Sequence, residues 1–381
     1  MKCINCGTDN SFKERLANNR CCKACSHPFV FEPKAMSDIT FSDRFFVKLI
    51  DDISANNTLK FTEQQLFYLF NQRLIKNLPS TVTEFIFIYL GLFVIIIGIL
   101  SSRQTSGLFI TAFGVWMVLS GMAIQDYQKK KKVKNFIVTP EQFRVYLNNW
   151  QSVNPIDGIL SLSQQKSLPN SINSDITAYS FDRVVVSDSA EIANLLIANN
   201  FHFENNSAVL SIDGYPENIF DMVMQMLRRN DNLKVYVLHD ASPSGVSVVN
   251  TLSNNSDWFS NSNVTIYDLG LLPRQIVNNH NPNFFTQISE DSAREAQELA
   301  FEIKQDLTKE EIAWLEAGKF VELESFTPQK LLRVISQGIS KSRQAHSNGD
   351  TSTFGDYGAS GDDGGSFDDC DVTIYTDDCF G

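Results

Sequence analysis

Between Phe181 and Tyr267 the chain changes period in a regular cadence. Short apolar runs at Val184–Val186, Ala208–Ile212, Leu233–Leu238 and Val264–Tyr267 predict strands. The stretches between them, Ser189–Asn199, Pro216–Asn230 and Val246–Leu252, carry helical spacing. Strands that alternate with single helices pair in parallel and are covered on both faces, so this part predicts an α/β sheet with flanking helices.

The same reading gives helices elsewhere. In FTEQQLFYLFNQRLIKN, Thr62 is a plausible N-cap, and Leu66, Phe67, Leu69, Phe70 and Leu74 make an apolar face. VTPEQFRVYLNNW has Thr139 as cap and Pro140 at the first helical position. Residues 289–343 read as helical, with a capping box at Thr308 and Glu311 and a helix opened by Thr327-Pro328; Trp314, Leu315 and Phe320 read as packing residues.

Two runs are apolar throughout. No charge falls between Phe85 and Leu100, and none between Gly107 and Ile124. Each approaches the length that crosses hydrocarbon and leaves no polar face, which predicts a two-helix transmembrane hairpin. Lysines crowd Lys129–Lys134 after the second run, against Arg103 in the connecting loop. That asymmetry predicts an integral membrane protein with both termini in the cytoplasm.

Charge is unevenly spread. The net is −12, but nine Asp and no Lys or Arg lie in 350–381, so the body carries −3. Residues 346–381, rich in Gly, Asp and Ser and holding Cys370 and Cys379, predict a disordered acidic tail. The first 34 residues hold six Lys or Arg against three Asp or Glu, a faint basic signal that suits an anionic partner.

That amino end also holds five of the seven cysteines. Cys3-x-x-Cys6 and Cys22-x-x-Cys25 are two knuckles, each turning a pair of thiolates toward one ion, the tetrahedral sulfur set of a structural Zn²⁺. Cys21 in place of Cys22 would break the two-residue gap, and His27 reads as a surface or supporting group. Cysteine used this way points to a reducing cytosol, and no secretory signal is visible. The segment resembles the zinc-ribbon family over residues 1 to 34, which implies a structural or docking role and a protein partner.

The carboxyl ends of the four strands present Ser187-Asp188, Asp213-Gly214, His239-Asp240 and Asp268, where open parallel sheets bind ligands. Oxygen ligands gathered there could hold Mg²⁺, although Asp after a strand also serves as a cap or turn residue. VLSIDGYPENIFDMVMQMLRRN and LKVYVLHDASPSGVSVV resemble the toprim domain, most closely that of the cleaving chains of type IIB topoisomerases. Gly214-Tyr215-Pro216 matches that family's turn after the second strand. Asp240-Ala241-Ser242-Pro243-Ser244-Gly245 matches its DxDPxG signature, except that Ser242 stands for the second aspartate. At the family's glutamate position stands Ser187, with Asp188 one residue on, where a slip along a strand would turn it to the other face. FTEQQLFYLF, with Tyr68, is a little similar to the tyrosine-bearing segment of such enzymes but lacks their arginine.

Two serines in place of acids remove charge from a Mg²⁺ cage. Residues 181–275 also hold eleven Asp or Glu against five Lys or Arg, a poor footprint for gripping nucleic acid. The expectation is a membrane-anchored zinc-ribbon protein whose toprim/Rossmann-like α/β domain is an interaction or sensing module without the usual catalysis. Ser187, Asp213, Gly214, Ser242 and Gly245 would form its ligand edge. The alternatives are a Mg²⁺-dependent phosphodiester-cleaving enzyme using Asp240, His239 and Asp188, and a nucleotide or small-ligand sensor. The expected divisions are a zinc ribbon (1–34), a helical segment (35–80), the hairpin (81–126), a basic juxtamembrane segment with helix and linker (127–180), the α/β domain (181–275), a helical region (276–345) and the tail (346–381).

Overall fold

The computed structural model describes residues 1–36, 39–77, 82–100, 111–120, 122, 136–160, 181–227, 233–259, 264–277 and 285–347. The chain divides into two compact units: one comprises Met1–Phe70, Val138–His280 and Thr286–Gly381, the other Asn71–Ile137 and Asn281–Phe285. The lysine run, the polar linker over 161–180 and nearly all of the acidic tail lie outside the described residues.

In the first unit, Phe61–Thr62 (β1) pairs in parallel with Ile159–Leu160 (β2). Arg183–Ser187 (β3), Ser207–Ser211 (β4), Lys234–Leu238 (β5) and Thr265–Asp268 (β6) form a four-stranded, wholly parallel sheet in the order β4-β3-β5-β6. The register is unbroken: Ser187 lies opposite Ser211 on one side and Leu238 on the other. Val184, Val185 and Val186 are all fully buried, as strands covered on both faces require. Ser189 caps the helix Ala190–Ala198 by accepting from the Glu191 and Ile192 N–H groups. The helix Glu217–Leu227 packs Ile219 and Val223 into a core with Val184, Leu210, Val235, Trp258 and Phe259. The mixed α/β class with a parallel sheet therefore holds.

The amino end folds as two similar turns. Cys3 N–H donates to Thr8 O and Gly7 N–H to Cys3 O, at 2.9 and 3.0 Å; Cys22 N–H donates to His27 O and Ser26 N–H to Cys22 O, both at 2.9 Å. Gly7 and Ser26 close these turns with positive φ, +74° and +57°. Between the turns lies a short helix, Phe12–Ala17, with a capping box at Ser11 and Glu14. Its Arg15 is buried against Glu32 in a two-pronged pair, 2.8 and 2.9 Å. The buried Asp43 carboxylate accepts the Val30 and Phe31 N–H groups, joining this segment to the helix Asp43–Ile53. Phe31 stacks on Trp150 at 5.9 Å, within a cluster that includes Phe41, Phe46, Phe70 and Phe143. Trp150 comes from the helix Pro140–Gln151, capped by Thr139.

The carboxyl part is less continuous than its periodicity predicts. Helices run over Glu290–Glu298, Phe301–Gln305, Lys309–Glu316 and Pro328–Ser347, the third with the Thr308–Glu311 capping box. Between them, Gln287–Ile288 (β7) pairs antiparallel with Lys319–Phe320 (β8). A turn at Leu323–Ser325 follows, and Ala241 bridges to Val321 in both directions at 3.0 and 3.1 Å. Leu315 is buried, and Trp314 and Phe320 are half-buried.

The second unit corrects the membrane reading. Its helix Val82–Leu100 meets the helical stretch 111–120 so closely that a Cβ on Gly91 would lie 3.0 Å from Gly114 O, and one on Gly114 2.9 Å from Gly91 O. Among the described residues no helix is long and apolar enough to cross a membrane. The transmembrane hairpin, the membrane as partner and the integral-membrane placement with cytoplasmic termini are accordingly not supported.

Candidate functional site

At the amino end, the sulfur atoms of Cys3, Cys6, Cys22 and Cys25 all lie within 4.8 Å of one another. Cys3 and Cys25 are 3.6 Å apart, as are Cys6 and Cys22. A tetrahedron with metal–sulfur bonds of about 2.3 Å has edges of about 3.8 Å, so the donor set fits a structural Zn²⁺. The pairs in contact join opposite knuckles, so the quartet ties the two turns together. Cys21 and His27 stand outside it; the Cys21 sulfur lies 3.6 Å from Asn19 O. Burial pushes the Cys3 thiol up to about 11. At Cys22 burial works the same way, but the Ala24 and Cys25 N–H groups and the Asn10 side chain outweigh it and bring the thiol down to about 6.

The second candidate is the carboxyl edge of the sheet. Asp188 follows the last residue of β3, in a loop rather than on the strand, so strand alternation does not turn it away. Its Oδ2 accepts the Asp240 N–H at 2.7 Å. The Ser187 hydroxyl, fully buried, lies 3.4 Å from Asp188 Oδ1 and accepts the Ser189 N–H. Asp240 Oδ1 accepts the Leu323 N–H at 2.7 Å, a donor carried in by the turn that the Ala241–Val321 bridge fixes. That turn also carries Glu324, which lies buried with Oε1 3.5 Å from the Ser189 hydroxyl. The structure therefore brings Asp188, Asp240, Ser187 and Glu324 to one place.

Burial and mutual crowding favour the protonated form of these carboxyls. Burial, then the Asp188 and Glu324 charges, raise Asp240 well above the carboxylate range. Burial, then Glu322, push Glu324 up to about 8. Burial likewise raises Asp188, partly offset by the Asp240 N–H. Among the described residues, the four cysteines are the one set of three or more His, Cys, Asp or Glu side chains whose ligand atoms converge.

The remaining candidates serve the backbone. Ser242 caps the turn Pro243–Val246 by accepting the Gly245 N–H at 2.9 Å. A Cβ on Gly245 would lie 2.1 Å from Asp240 O, so glycine is needed there for close approach. Asp213 is exposed on the turn after β4, where Gly214 has φ +78° and donates to Ser211 O. His239 is fully buried: its Nδ1 lies 2.8 Å from Asp240 O and its Nε2 3.1 Å from Asp268 Oδ1. The latter approach lacks hydrogen-bond alignment and is an ion pair. Burial disfavours the imidazolium, yet Asp268 overrides it and raises His239 to about 9.

Tyr68 enters from the first part of the chain. Its ring is buried, its hydroxyl donates to Glu322 at 2.6 Å, and Gln287 Nε2 donates to it at 2.6 Å. Burial and the Glu322 charge hold its phenol above the usual range. Glu322, Glu324 and Gln287 carry no signal in the sequence. VELESF holds no motif, and tertiary contacts, among them the bridge from Val321 to Ala241 and the Leu323–Asp240 bond, bring it to this edge.

A parallel four-stranded sheet with a glycine-tyrosine-proline turn after β4 and an aspartate loop after β5 defines a toprim-like domain. Residues 184–339 match the family model for the Toprim domain of the TOP6A/Spo11 group, which covers topoisomerase 6 and Spo11. The similarity thus runs past the sheet and includes Glu322 and Glu324. No curated protein matches the chain.

Proposed function

We propose that the toprim-like domain is a non-cleaving scaffold, an interaction module whose former ligand edge has become an internal junction. The observation that carries this reading is the Leu323 N–H seated on Asp240 Oδ1 at 2.7 Å. A carboxylate that must grip a phosphate-bound Mg²⁺ needs its oxygens free and charged. Here one Asp240 oxygen already accepts a backbone N–H, and Ser242 stands in place of a second acid. Zn²⁺ on Cys3, Cys6, Cys22 and Cys25 would make the amino end a rigid docking surface for a protein partner.

The test is incubation of the full chain with supercoiled plasmid and Mg²⁺ or Mn²⁺. The expected result is no nicking, cleavage or relaxation above that of Asp240→Asn. Cleavage by the wild type that Asp240→Asn abolishes would contradict the proposal.

One observation favours a second reading, a nuclease or topoisomerase-like enzyme. Tyr68 reaches Glu322 within the same unit as the acidic edge, so a nucleophilic hydroxyl and carboxylates share one neighbourhood. Plasmid covalently attached to the chain, and lost in Tyr68→Phe, would establish that reading instead.

A further inference from the structure

The fully buried Asn10 links the two knuckles. Its Nδ2 donates to Thr8 O at 2.8 Å and to the Cys22 sulfur at 3.5 Å, and its Oδ1 accepts the Lys23 N–H at 2.9 Å. The Arg15 guanidinium, itself anchored on Glu32, donates to the Asn10 carbonyl. One amide thus belongs to the first knuckle by its chain, to the second by two hydrogen bonds, and to a ligand sulfur by one of them.

The repeat itself does not demand a polar residue here. Asn10 stands seven residues after Cys3, and the residue seven after Cys22 is Phe29, which packs apolar against Cys3 and Cys22. The same turn geometry is therefore served by a hydrocarbon in one half and by an amide in the other. A buried amide costs stability unless its hydrogen bonds are made, and all of these are. The amide N–H is directed at the atom that carries negative charge when a metal is bound, and an N–H···S bond there disperses that charge.

We infer that Asn10 is a positioning residue of the metal centre: its side-chain N–H sets the orientation and electron density of the Cys22 thiolate, and with them the grip on a soft divalent ion and the reactivity of that sulfur. The inference rests on the reading that the four cysteines bind Zn²⁺. Cys6 has a hydroxyl neighbour instead, Thr8 Oγ1 at 3.3 Å, so the four sulfurs are unequal.

The experiment uses the full chain, wild type, Asn10→Ala and Asn10→Asp. Zinc affinity is measured by competition with a chromophoric chelator, and Co²⁺-loaded protein by its sulfur-to-metal absorption. Asn10→Asp keeps the volume and the acceptor for Lys23 but loses both donations and adds a carboxylate, whereas Asn10→Ala loses them without the charge; a band shift shared by both reports the lost N–H···S bond, and circular dichroism of the loaded variants reads folding separately. Both variants are expected to bind zinc about 10–100-fold more weakly. Their Co²⁺ charge-transfer band should move to lower energy, and alkylation of Cys22, mapped by mass spectrometry, should accelerate over that of Cys25. Wild-type affinity and an unshifted band in both variants would overturn this inference alone. A wild type that binds no zinc would overturn the zinc reading and this inference with it.

Discussion

In the amino-terminal segment four sulfur atoms come within 4.8 Å of one another with short contacts across the two knuckles. At the carboxyl edge of the sheet the carboxylates also converge, yet Asp188 is taken by the Asp240 N–H and Asp240 by the Leu323 N–H. Both places collect groups able to bind a cation. The first leaves its donors facing one another, while in the second one oxygen of each aspartate already accepts a backbone N–H. A signature of ligand residues is thus informative only together with what their lone pairs already hold.

That contrast can be broken most forcefully at the cysteines. Cys22→Ser should cost the ribbon most of the ~10 kcal/mol that a structural zinc contributes, leaving residues 1–34 open to limited proteolysis. Stripping the metal with a chelator should leave the α/β sheet intact by circular dichroism. Next in size is Gly245→Ala. Its Cβ would meet Asp240 O at 2.1 Å, so the loop must shift, and a loss of ~3 kcal/mol in denaturant unfolding is expected.

Asp240 separates junction from cage more finely. Asp240→Ala strands the buried Leu323 N–H and should cost about 1–3 kcal/mol. Asp240→Asn keeps an acceptor and removes a crowded acid, so its stability at neutral pH should equal or exceed that of the wild type. The pH dependence has a definite sign. Glu324, raised to about 8 by burial and Glu322, binds more protons folded than unfolded. Its contribution is therefore complete at acid pH and lost as pH rises toward 8. His239, raised to about 9 by Asp268, adds stability below its unfolded value near 6.5, lost as pH passes 9. Melting temperature should fall from pH 5 to 9, and Glu324→Gln should flatten the lower part of that slope. The smallest effect is expected at Tyr68→Phe, which removes two hydrogen bonds at 2.6 Å and should cost on the order of 1 kcal/mol by urea titration.

How much of the molecule is legible in its sequence depends on range. The strands of the sheet stand out because burial on both faces makes them apolar throughout, as at Val184–Val186. Caps at Ser189, Thr139 and Thr308 are local, and two of them, Thr139 and Thr308, are read directly from spacing. The four cysteines are legible because each knuckle is a local turn. The acidic edge is legible only in part: Asp188 and Asp240 stand at strand ends, but Leu323 and Glu324 arrive from more than eighty residues beyond Asp240. Nor does strand alternation predict Asp188, because β3 ends at Ser187 and the loop re-aims the next side chain. The hairpin reading rests on apolar composition alone, and among the described residues no helix is long and apolar enough to cross a membrane.

An internal junction at the toprim-like edge and a cation cage there differ in one property, the binding of a divalent ion. Calorimetric titration of the zinc-loaded full chain with Mn²⁺, beside Asp240→Asn, reads that property. The expected result is no Mn²⁺ binding in the micromolar to millimolar range by either protein. A single Mn²⁺ bound by the wild type and lost in Asp240→Asn would contradict it.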